Sequence, residues 1–351
     1  MTAVGRACTD MPCANTAQGD PLALVLRSLA ASGYRFVTTT PLTHQRVLAG
    51  RTTQISTSLR DIFGWNRPFT ASALQPGMLV TMRHAGIVLA CADLPGTQLL
   101  RSAVRVASLD DDLFVHSAYP TDASDAVFFG PDTYRFARFI RQVLTTAVAC
   151  TGGRHHRHMP TRILDIGCGS GAGGVVAARW HDNMGLTATL TLNDINPLAL
   201  HYTALNVQLA GMTPVLVPGD ALHNLNGEFD LIVCNPPYLD DTRQRTYRHG
   251  GTRLGRDLSV RLAQRALAHL APGGRLLLYT GVAIERGIDP LRAELLELLA
   301  PAGCSGSYAE IDPDVFGEEL DRPVYAQTDR IAAVGFEALR SATPSCHLIG
   351  A

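Results

Sequence analysis

The chain has 351 residues, of which 46% are hydrophobic and 17% are charged, and its formal net charge is −1. This hydrophobic content excludes a disordered chain, the length suits two domains, and the near-zero charge gives no overall field that would draw the chain to nucleic acid. No run approaches the about 18 apolar residues of a membrane-spanning helix, and the first twenty residues hold no signal-peptide apolar segment. A cytoplasmic protein without membrane association is expected.

Cysteine and histidine patterns give no metal or disulfide signal. The eight cysteines are scattered singly and form no CxxC pair. Cys168 and Cys234 lie inside the motifs described below, where we interpret them as small residues that fill tight turns. The His-rich segment 151–158 matches no zinc spacing, and its glycines favour a solvated linker. We therefore expect no metal ion.

The first part of the chain mixes helical and strand patterns. Pro21–Ser32 is typical of a helix that stops at Gly33, and Leu42–Ala49 is typical of a second short helix. Val80–Ala92 and Leu99–Ser117 have the pattern of short strands. Together these elements predict a small α+β domain.

From about residue 162 onward, short apolar strands alternate with amphipathic helices such as Leu198–Leu209 and Leu258–Leu270. The strand-like runs are Arg162–Ile166, Ala188–Asn193, Pro214–Val217, Phe229–Cys234 and Arg275–Tyr279. This alternation predicts a doubly wound α/β fold, whose parallel sheet is covered on both faces and binds ligands beyond the carboxyl ends of its strands. Ser307–Ile311 and Arg330–Phe336 predict an antiparallel hairpin that closes one sheet edge.

The change between these two patterns predicts the domain boundary. It falls near Tyr119–Asp125, a stretch of Pro, Thr, Ser and Asp that is typical of a connection. We therefore predict an N-terminal α+β domain over 1–120, for which substrate recognition is one interpretation, a larger domain over 121–341 and a tail over 342–351.

A glycine-rich turn follows the first strand of the larger domain, in the segment Asp165–Gly171. Gly167, Gly169 and Gly171 permit positive φ angles and let a ligand reach the backbone. Dinucleotide-binding turns have the spacing G-x-G-x-x-G, whereas here the spacing is G-x-G-x-G after an acid. A pyrophosphate needs the amides of a helix N-terminus, but an aminoacyl group with an ammonium is better served by a carboxylate such as Asp165. A tight turn without any ligand is the alternative.

Two further acids follow the next two strands. At Asp194, a carboxylate can accept both hydroxyls of a ribose, although the same residue can cap the helix that begins near Pro197. Asp220, next to Ala221, follows the third strand and can accept from an adenine amino group. Its alternative role is that of a turn residue.

The most specific motif is Asn235-Pro236-Pro237-Tyr238, at the end of the fourth strand. An amide or aromatic amino nitrogen is a poor nucleophile because its lone pair is delocalised. The Asn235 side-chain carbonyl and the Pro236 backbone carbonyl can accept both of its hydrogens. The consecutive prolines hold these acceptors in extended conformations, and Tyr238 offers a ring face for stacking. The motif therefore predicts methyl transfer to a planar nitrogen, by positioning.

With these motifs, the chain resembles class I methyltransferases of the methyltransferase small domain group, which includes release-factor glutamine methyltransferases and several base N-methyltransferases. The resemblance spans roughly 125–340. It implies a doubly wound, mostly parallel seven-stranded Rossmann-like methyltransferase sheet and the cofactor S-adenosyl-L-methionine. The residues expected at the cofactor are Asp165, Gly167, Cys168, Gly169, Gly171, Asp194, Asp220 and Ala221. Asn235, Pro236, Pro237 and Tyr238 are expected to hold the target nitrogen.

Phe128–Thr133 sits where these relatives place a segment that covers the cofactor, so a lid is one interpretation. The other is a helix start, with Pro131 in the first turn. The chain also departs from the glutamine methyltransferases, which continue after the motif to a Glu-Pro pair and end their fifth strand with an acid. Here the corresponding segments are Thr246–Gly251 and Leu278–Gly281.

Basic residues crowd the segment after the motif. They are Arg243, Arg245, Arg248, Arg253, Arg256 and Arg261. One interpretation is a cationic rim suited either to the phosphates of RNA or DNA or to an acidic protein surface. The other is a solvated loop paired with Asp240, Asp241 and Asp257.

The sequence thus predicts an N-methyltransferase whose acceptor is macromolecular, either a protein glutamine or an RNA or DNA base. Two alternatives stay open. One is a small-molecule methyltransferase of specialised metabolism, and the other is a non-catalytic module that only binds the cofactor. Neither the acceptor nor the oligomeric state follows from the motifs.

Overall fold

The computed structural model describes residues 19–53, 55–91, 97–150, 159–221 and 226–342. The predicted linker at 151–158 and nearly all of the predicted tail lie outside the described residues. None of the helices in these ranges combines the length and apolar content needed to cross a membrane.

The α-helices begin at residues that the sequence marks as helix starts. They are α1 (Pro21–Ala31), α2 (Pro41–Ala49), α3 (Pro76–His84), α4 (Pro131–Cys150), α5 (Ala172–Asn183), α6 (Pro197–Leu209), α7 (Asp257–Ala268) and α8 (Pro290–Glu297). Proline is favourable at a first helical turn, where its missing N–H would have no partner. In α1, α6 and α8 an Asp or Asn side chain also caps the first turn.

The strands are β1 (Val88–Ala90), β2 (Leu100–Ser102), β3 (Val104–Leu109), β4 (Asp112–Ser117), β5 (Thr161–Ile166), β6 (Ala188–Asp194), β7 (Pro214–Pro218), β8 (Phe229–Cys234), β9 (Leu270–Glu285), β10 (Cys304–Asp312) and β11 (Thr328–Arg340). Seven of them form one sheet in the order β10-β11-β9-β8-β5-β6-β7. The neighbours from β9 to β7 are parallel, and β11 pairs antiparallel with both β9 and β10. The predicted mostly parallel sheet and its closing hairpin are confirmed.

Both faces of the sheet are covered, as the alternation predicts. Ile163 and Val233 join a buried cluster with side chains of α4 and α5. Their neighbours Leu164 and Ile232 join a different cluster, with side chains of α7 and α8. Because successive side chains of a strand point to opposite faces, strands that are apolar at every position require helices on both sides.

Two predicted elements differ from the structure. The strand predicted over Val80–Ala92 is wrong for its first half, which belongs to α3. Leu79 and Met82 are buried three residues apart, which is the spacing of a helix face. The helix predicted to reach Leu270 ends at Ala268, because Leu270 already belongs to β9.

The N-terminal segment packs on the larger part through α6. Ala199, Tyr202 and Leu205 on one side of α6 join the core that contains α1 and α3, whereas Leu200 and Val207 join the core of the sheet. This helix is therefore apolar around most of its circumference. The division into domains near residue 120 stays a prediction.

Candidate active site

The strand register brings the predicted motifs to one edge of the sheet. Ile166, the last residue of β5, pairs with Asn193 of β6 on one side and with Cys234 of β8 on the other. Asp194 pairs in turn with Pro218 at the end of β7. The glycine turn, the two acids and the Asn-Pro-Pro-Tyr turn therefore all leave the sheet at the same level, as expected for parallel strands.

A cavity of about 490 Å³ lies at this edge. The predicted residues that line it are Asp165, Gly167, Cys168, Gly169, Asp194, Asp220, Ala221, Asn235, Pro236, Pro237 and Tyr238. Gly171 is not among its lining residues. A Cβ atom at this glycine would lie 3.1 Å from Thr203 and 3.4 Å from Val207 of α6. The turn packs closely against this helix at Gly171, and the expected cofactor contact of Gly171 stays a prediction.

The glycine turn leaves open space for a ligand. Gly167 and Gly169 have φ angles of 65° and 55°, a region that strongly favours glycine. A Cβ atom at either position would meet no protein atom within 4 Å. Cys168 between them is buried, with its Sγ 3.4 Å from the Thr203 hydroxyl, and burial raises the pKa of its thiol. The turn thus exposes backbone rather than a reactive sulfur.

Asp194 links the second strand to the glycine turn. One carboxylate oxygen accepts from the Gly169 amide at 2.8 Å, and the other accepts from the Asn196 amide at 2.9 Å. The cap of α6 is Asn196, whose side chain accepts from Leu198 at 2.9 Å, so the alternative that Asp194 caps this helix is wrong. Each carboxylate oxygen has a further lone pair with which to accept from a ligand hydroxyl.

Asp165 is a buried carboxyl group on the cavity wall. It accepts from the Gly174 amide at 2.7 Å. Burial raises the pKa of Asp165 to about 7, although this hydrogen bond acts in the opposite direction. Because a cationic ligand would stabilise the ionised form, Asp165 suits a positively charged group.

Asn193 was missed by the sequence analysis, which treated it as a strand residue. Its side-chain amide donates to the carbonyls of Val217 at 2.8 Å and Gly219 at 2.9 Å. It thereby holds the end of β7 and the turn before Asp220 against β6. The sequence did contain a signal for this role, because a polar Asn at the end of a buried strand, next to Asp194, needs hydrogen-bond partners.

The Asn235–Pro236 turn carries two acceptors that no described residue uses. Among the described residues, neither the Asn235 side chain nor the Pro236 carbonyl has a hydrogen-bond donor, and both residues line the cavity. A carbonyl oxygen that faces a cavity without a protein donor is available to a ligand N–H.

Tyr238 is held more tightly than a simple stacking surface requires. Its hydroxyl donates to Asp132, its ring packs against Gly281, and Phe316 lies edge-on to it with centroids 5.8 Å apart. Because only 7% of the residue is exposed, a ligand can reach only a small part of the ring. The stacking role stays a prediction.

A Gly281→Ala substitution should destabilise the protein. Its Cβ atom would lie 2.2 Å from two carbons of the Tyr238 ring, so the ring must shift, and overpacking of this kind costs about 1–3 kcal/mol. Chemical denaturation measures the free energy of unfolding. Gly77→Ala is the matched control, because Gly77 lies in α3, where nothing is within 4 Å of an added Cβ. Equal stability of both variants would contradict the packing described for Gly281.

Two segments cover the cavity, one before α4 and one after the Asn-Pro-Pro-Tyr motif. Thr246 donates its amide to Ser124 at 3.2 Å, and the Tyr247 hydroxyl donates to the Thr121 carbonyl at 2.7 Å. The rings of Phe128 and Tyr247 are nearly parallel, with centroids 5.9 Å apart. Pro131 begins α4, which confirms the helix-start interpretation. The lid interpretation stays a prediction.

The six arginines of the cluster pair with five carboxylates of the chain, because Arg253 and Arg256 share Glu294. The pairs are Arg243 with Asp122 (3.1 Å), Arg245 with Asp241 (2.7 Å), Arg248 with Glu319, Arg253 with Glu294 (2.8 Å), Arg256 with Glu294 (3.0 Å) and Arg261 with Asp257 (3.8 Å). The structure therefore favours the paired loop over the cationic rim.

Comparisons with known proteins agree with this geometry. Residues 155–284 match the family Methyltransferase small domain. The chain is 34% identical over 168 residues to a release factor glutamine methyltransferase of Deinococcus radiodurans, covering 45% of this chain and 55% of that protein. It is 32% identical over 136 residues to a ribosomal RNA small subunit methyltransferase C of Pseudomonas aeruginosa, covering 37% of each chain. The chain thus spans about half of the first relative and less of the second.

The matched segment runs from the region before β5 to the end of β9, so it contains the glycine turn, both acids and the Asn-Pro-Pro-Tyr turn. The resemblance stated from these motifs is confirmed. Residues 155–284 thus match the methyltransferase small domain, and the strands of this segment lie in the seven-stranded sheet.

Proposed function

We propose that this protein is an S-adenosyl-L-methionine-dependent methyltransferase that methylates a planar amide or amino nitrogen of a macromolecule, either a protein glutamine or an RNA or DNA base. One observation carries the proposal. Asn235 and Pro236, whose carbonyl acceptors have no donor among the described residues, line the same cavity as the glycine turn and Asp194. An acceptor pair beside a cofactor turn is what methyl transfer to an NH₂ group needs.

The residues around the cavity suit the cofactor. Asp194 can accept from ribose hydroxyls with its remaining lone pairs, and the open space at Gly167 and Gly169 admits the aminoacyl part to the backbone. Asp165 lies where a carboxylate can bind an ammonium, and Asp220 is assigned to the adenine amino group. When bound, S-adenosyl-L-methionine supplies a methyl group on a sulfonium cation.

The Asn-Pro-Pro-Tyr turn orients the acceptor nitrogen. If Asn235 and Pro236 accept both hydrogens from outside the amide plane, the lone pair is turned toward the methyl donor and is less delocalised. The two prolines restrict the backbone, so the acceptors need not reorganise during the reaction. The alkylated nitrogen is acidic enough to lose its proton to solvent, and no strong general base is required of the chain.

Cofactor binding should depend on pH through Asp165. Its pKa is raised to about 7, so the carboxyl group becomes ionised as the pH rises from about 6 to about 7.5, while the ligand's α-amino group remains largely protonated. Affinity for the cationic ligand should then rise roughly fivefold to tenfold over this range. Titration calorimetry at both pH values measures it, and Asp165→Asn should remove the dependence. Equal dissociation constants for the wild-type protein would contradict the role of Asp165.

Methyl-labelled S-adenosyl-L-methionine tests the proposed function directly. The purified protein is incubated with separated protein, RNA, DNA and small-molecule fractions of an extract, and the labelled product is identified by mass spectrometry. Label on a protein amide or a base nitrogen supports the proposal. Label only on a small molecule would favour the specialised-metabolism alternative, and cofactor binding without any product would favour the non-catalytic one.

The two relatives act, by their names, on a release factor and on ribosomal RNA, so both macromolecular classes belong in the assay. The chain covers too little of either relative for its acceptor to be transferred. The arginines of the cluster pair with carboxylates of the chain, so they no longer favour a nucleic acid over a protein as the methyl acceptor. The cytoplasmic location and the substrate-recognition role of the N-terminal segment stay predictions.

A further inference from the structure

A buried carboxylate at the start of α4, inside the segment Phe128–Thr133, contacts the turn Asn235–Tyr238, which is called the reacting turn below. Asp132 is 4% exposed. One of its oxygens accepts from the Tyr238 hydroxyl, and the other accepts from the Tyr279 hydroxyl at 3.0 Å and from Arg135 at 3.1 Å. Arg135 also donates to Asp312 of β10 at 2.8 Å. The carboxylate thus has several donors, as an ionised buried group requires.

Burial, the largest effect, leaves the pKa of Asp132 raised, while the local charges favour the ionised form. The residue lies in the first turn of α4, where the helix dipole stabilises a negative charge, and Arg135 is one turn away. Burial raises the pKa of Asp132, while the hydrogen bonds from Tyr238 and Tyr279 and the charge of Arg135 lower it. A carboxylate with this donor set cannot turn away from Tyr238 without leaving charged and polar partners unpaired.

The contacts fix the reacting turn at both ends. At its start, Cys234 is held in the sheet between Ile166 and Leu278. At its end, the Tyr238 ring is held against Gly281, and its hydroxyl is held by Asp132. Between these two points lie only Asn235 and two prolines. A shift of Tyr238 must therefore be transmitted to the carbonyls of Asn235 and Pro236.

We propose that Asp132 is a positioning residue for methyl transfer, which holds Tyr238 by its hydroxyl and thereby sets the Asn235 and Pro236 carbonyls. This inference rests on the proposed function. Asp132 acts from α4, whose side chains Thr133 and Phe136 also line the cavity. The first turn of α4, which precedes β5, thus holds the reacting turn in place and also forms part of the cavity wall.

A double-mutant cycle tests the role. Asp132→Asn keeps the size of the side chain but replaces one acceptor by a donor, and Tyr238→Phe keeps the ring but removes the hydroxyl. Each variant should lower kcat by about 10- to 100-fold, because small displacements of positioned groups cost this much. The double variant should be no slower than the slower single variant, because both changes remove the same contact. The dissociation constant of S-adenosyl-L-methionine should change less than about threefold in each.

A second tyrosine–aspartate contact in the chain provides the matched control. Tyr308 of β10 donates to Asp289 at 2.7 Å, and neither residue lines the cavity. Asp289→Asn and Tyr308→Phe should leave kcat unchanged even where they lower the unfolding temperature. If the Asp132 and Tyr238 variants lose activity additively, or lose cofactor affinity in parallel with kcat, Asp132 is a structural residue and the inference is wrong.

Fluorine NMR of a fluorotyrosine placed at position 238 provides a readout that needs no activity. The wild-type protein should show one narrow resonance, and Asp132→Asn should broaden or split it because the ring loses its anchor. An unchanged resonance would overturn the inference even if activity fell. If the wild-type protein methylates no fraction at all, the proposed function fails instead, and the resonance still reports whether Asp132 holds Tyr238.

Discussion

Asn235→Ala should reduce the rate of methyl transfer by about 10²- to 10³-fold, the loss seen when one preorganised polar partner of a reacting group is removed. Asn235 lines the cavity, and its side-chain carbonyl has no hydrogen-bond donor among the described residues, so truncation breaks no hydrogen bond there. The free energy of unfolding should therefore change little. Single-turnover assays with labelled S-adenosyl-L-methionine measure the rate, and calorimetry measures cofactor affinity, which should be retained.

The control for this substitution is Asn183→Ala. Asn183 is an exposed residue at the end of α5 and does not line the cavity. The control variant should transfer methyl groups at the wild-type rate. If Asn235→Ala did the same, Asn235 would not hold the acceptor nitrogen, and the proposed chemistry of the turn would be wrong.

Asp194→Asn should weaken cofactor binding by at least about 100-fold. A carboxylate that accepts from two ribose hydroxyls contributes charge-assisted hydrogen bonds, each worth about 1.5–3 kcal/mol. The substitution removes the charge and turns one oxygen into a donor. That donor must face either the Gly169 amide or the Asn196 amide, both of which are donors themselves. The glycine turn should therefore loosen as well, and titration calorimetry with S-adenosyl-L-methionine measures the combined loss.

Asp182→Asn is the matched control for Asp194→Asn, because Asp182 is exposed on α5 and lies outside the cavity lining. It should bind the cofactor with wild-type affinity. Thermal unfolding without ligand separates the two effects at Asp194, since only the loosened turn lowers the unfolding temperature of the free protein. If Asp194→Asn bound S-adenosyl-L-methionine with wild-type affinity, Asp194 would not be a residue that binds the cofactor.

The strands, most helices and the reacting turn were predictable because their signals are local. Continuous apolar runs separated by glycine, proline and capping residues predicted the parallel sheet. Asp194 and Asn235 each follow such a run, and parallel strands bring their carboxyl ends to one edge. The order of strands and motifs along the chain therefore predicted the motif residues that line the cavity, except Gly171. It did not predict Asn193 and Phe136, which also line it.

Contacts between distant segments were decided only by the tertiary structure. Whether the arginines bind an external phosphate or a carboxylate of the chain depends on partners such as Asp122 and Glu319, far away in sequence. The hydrogen bond of Asp132 to Tyr238 joins residues 106 positions apart. In sequence, Asp132 belongs to a segment that predicted a lid or a helix start, and neither pattern predicts a contact with Tyr238. Local patterns thus determined the elements and the residues at their ends, whereas packing determined which side chains meet, because a hydrogen bond depends on distance in space and not along the chain.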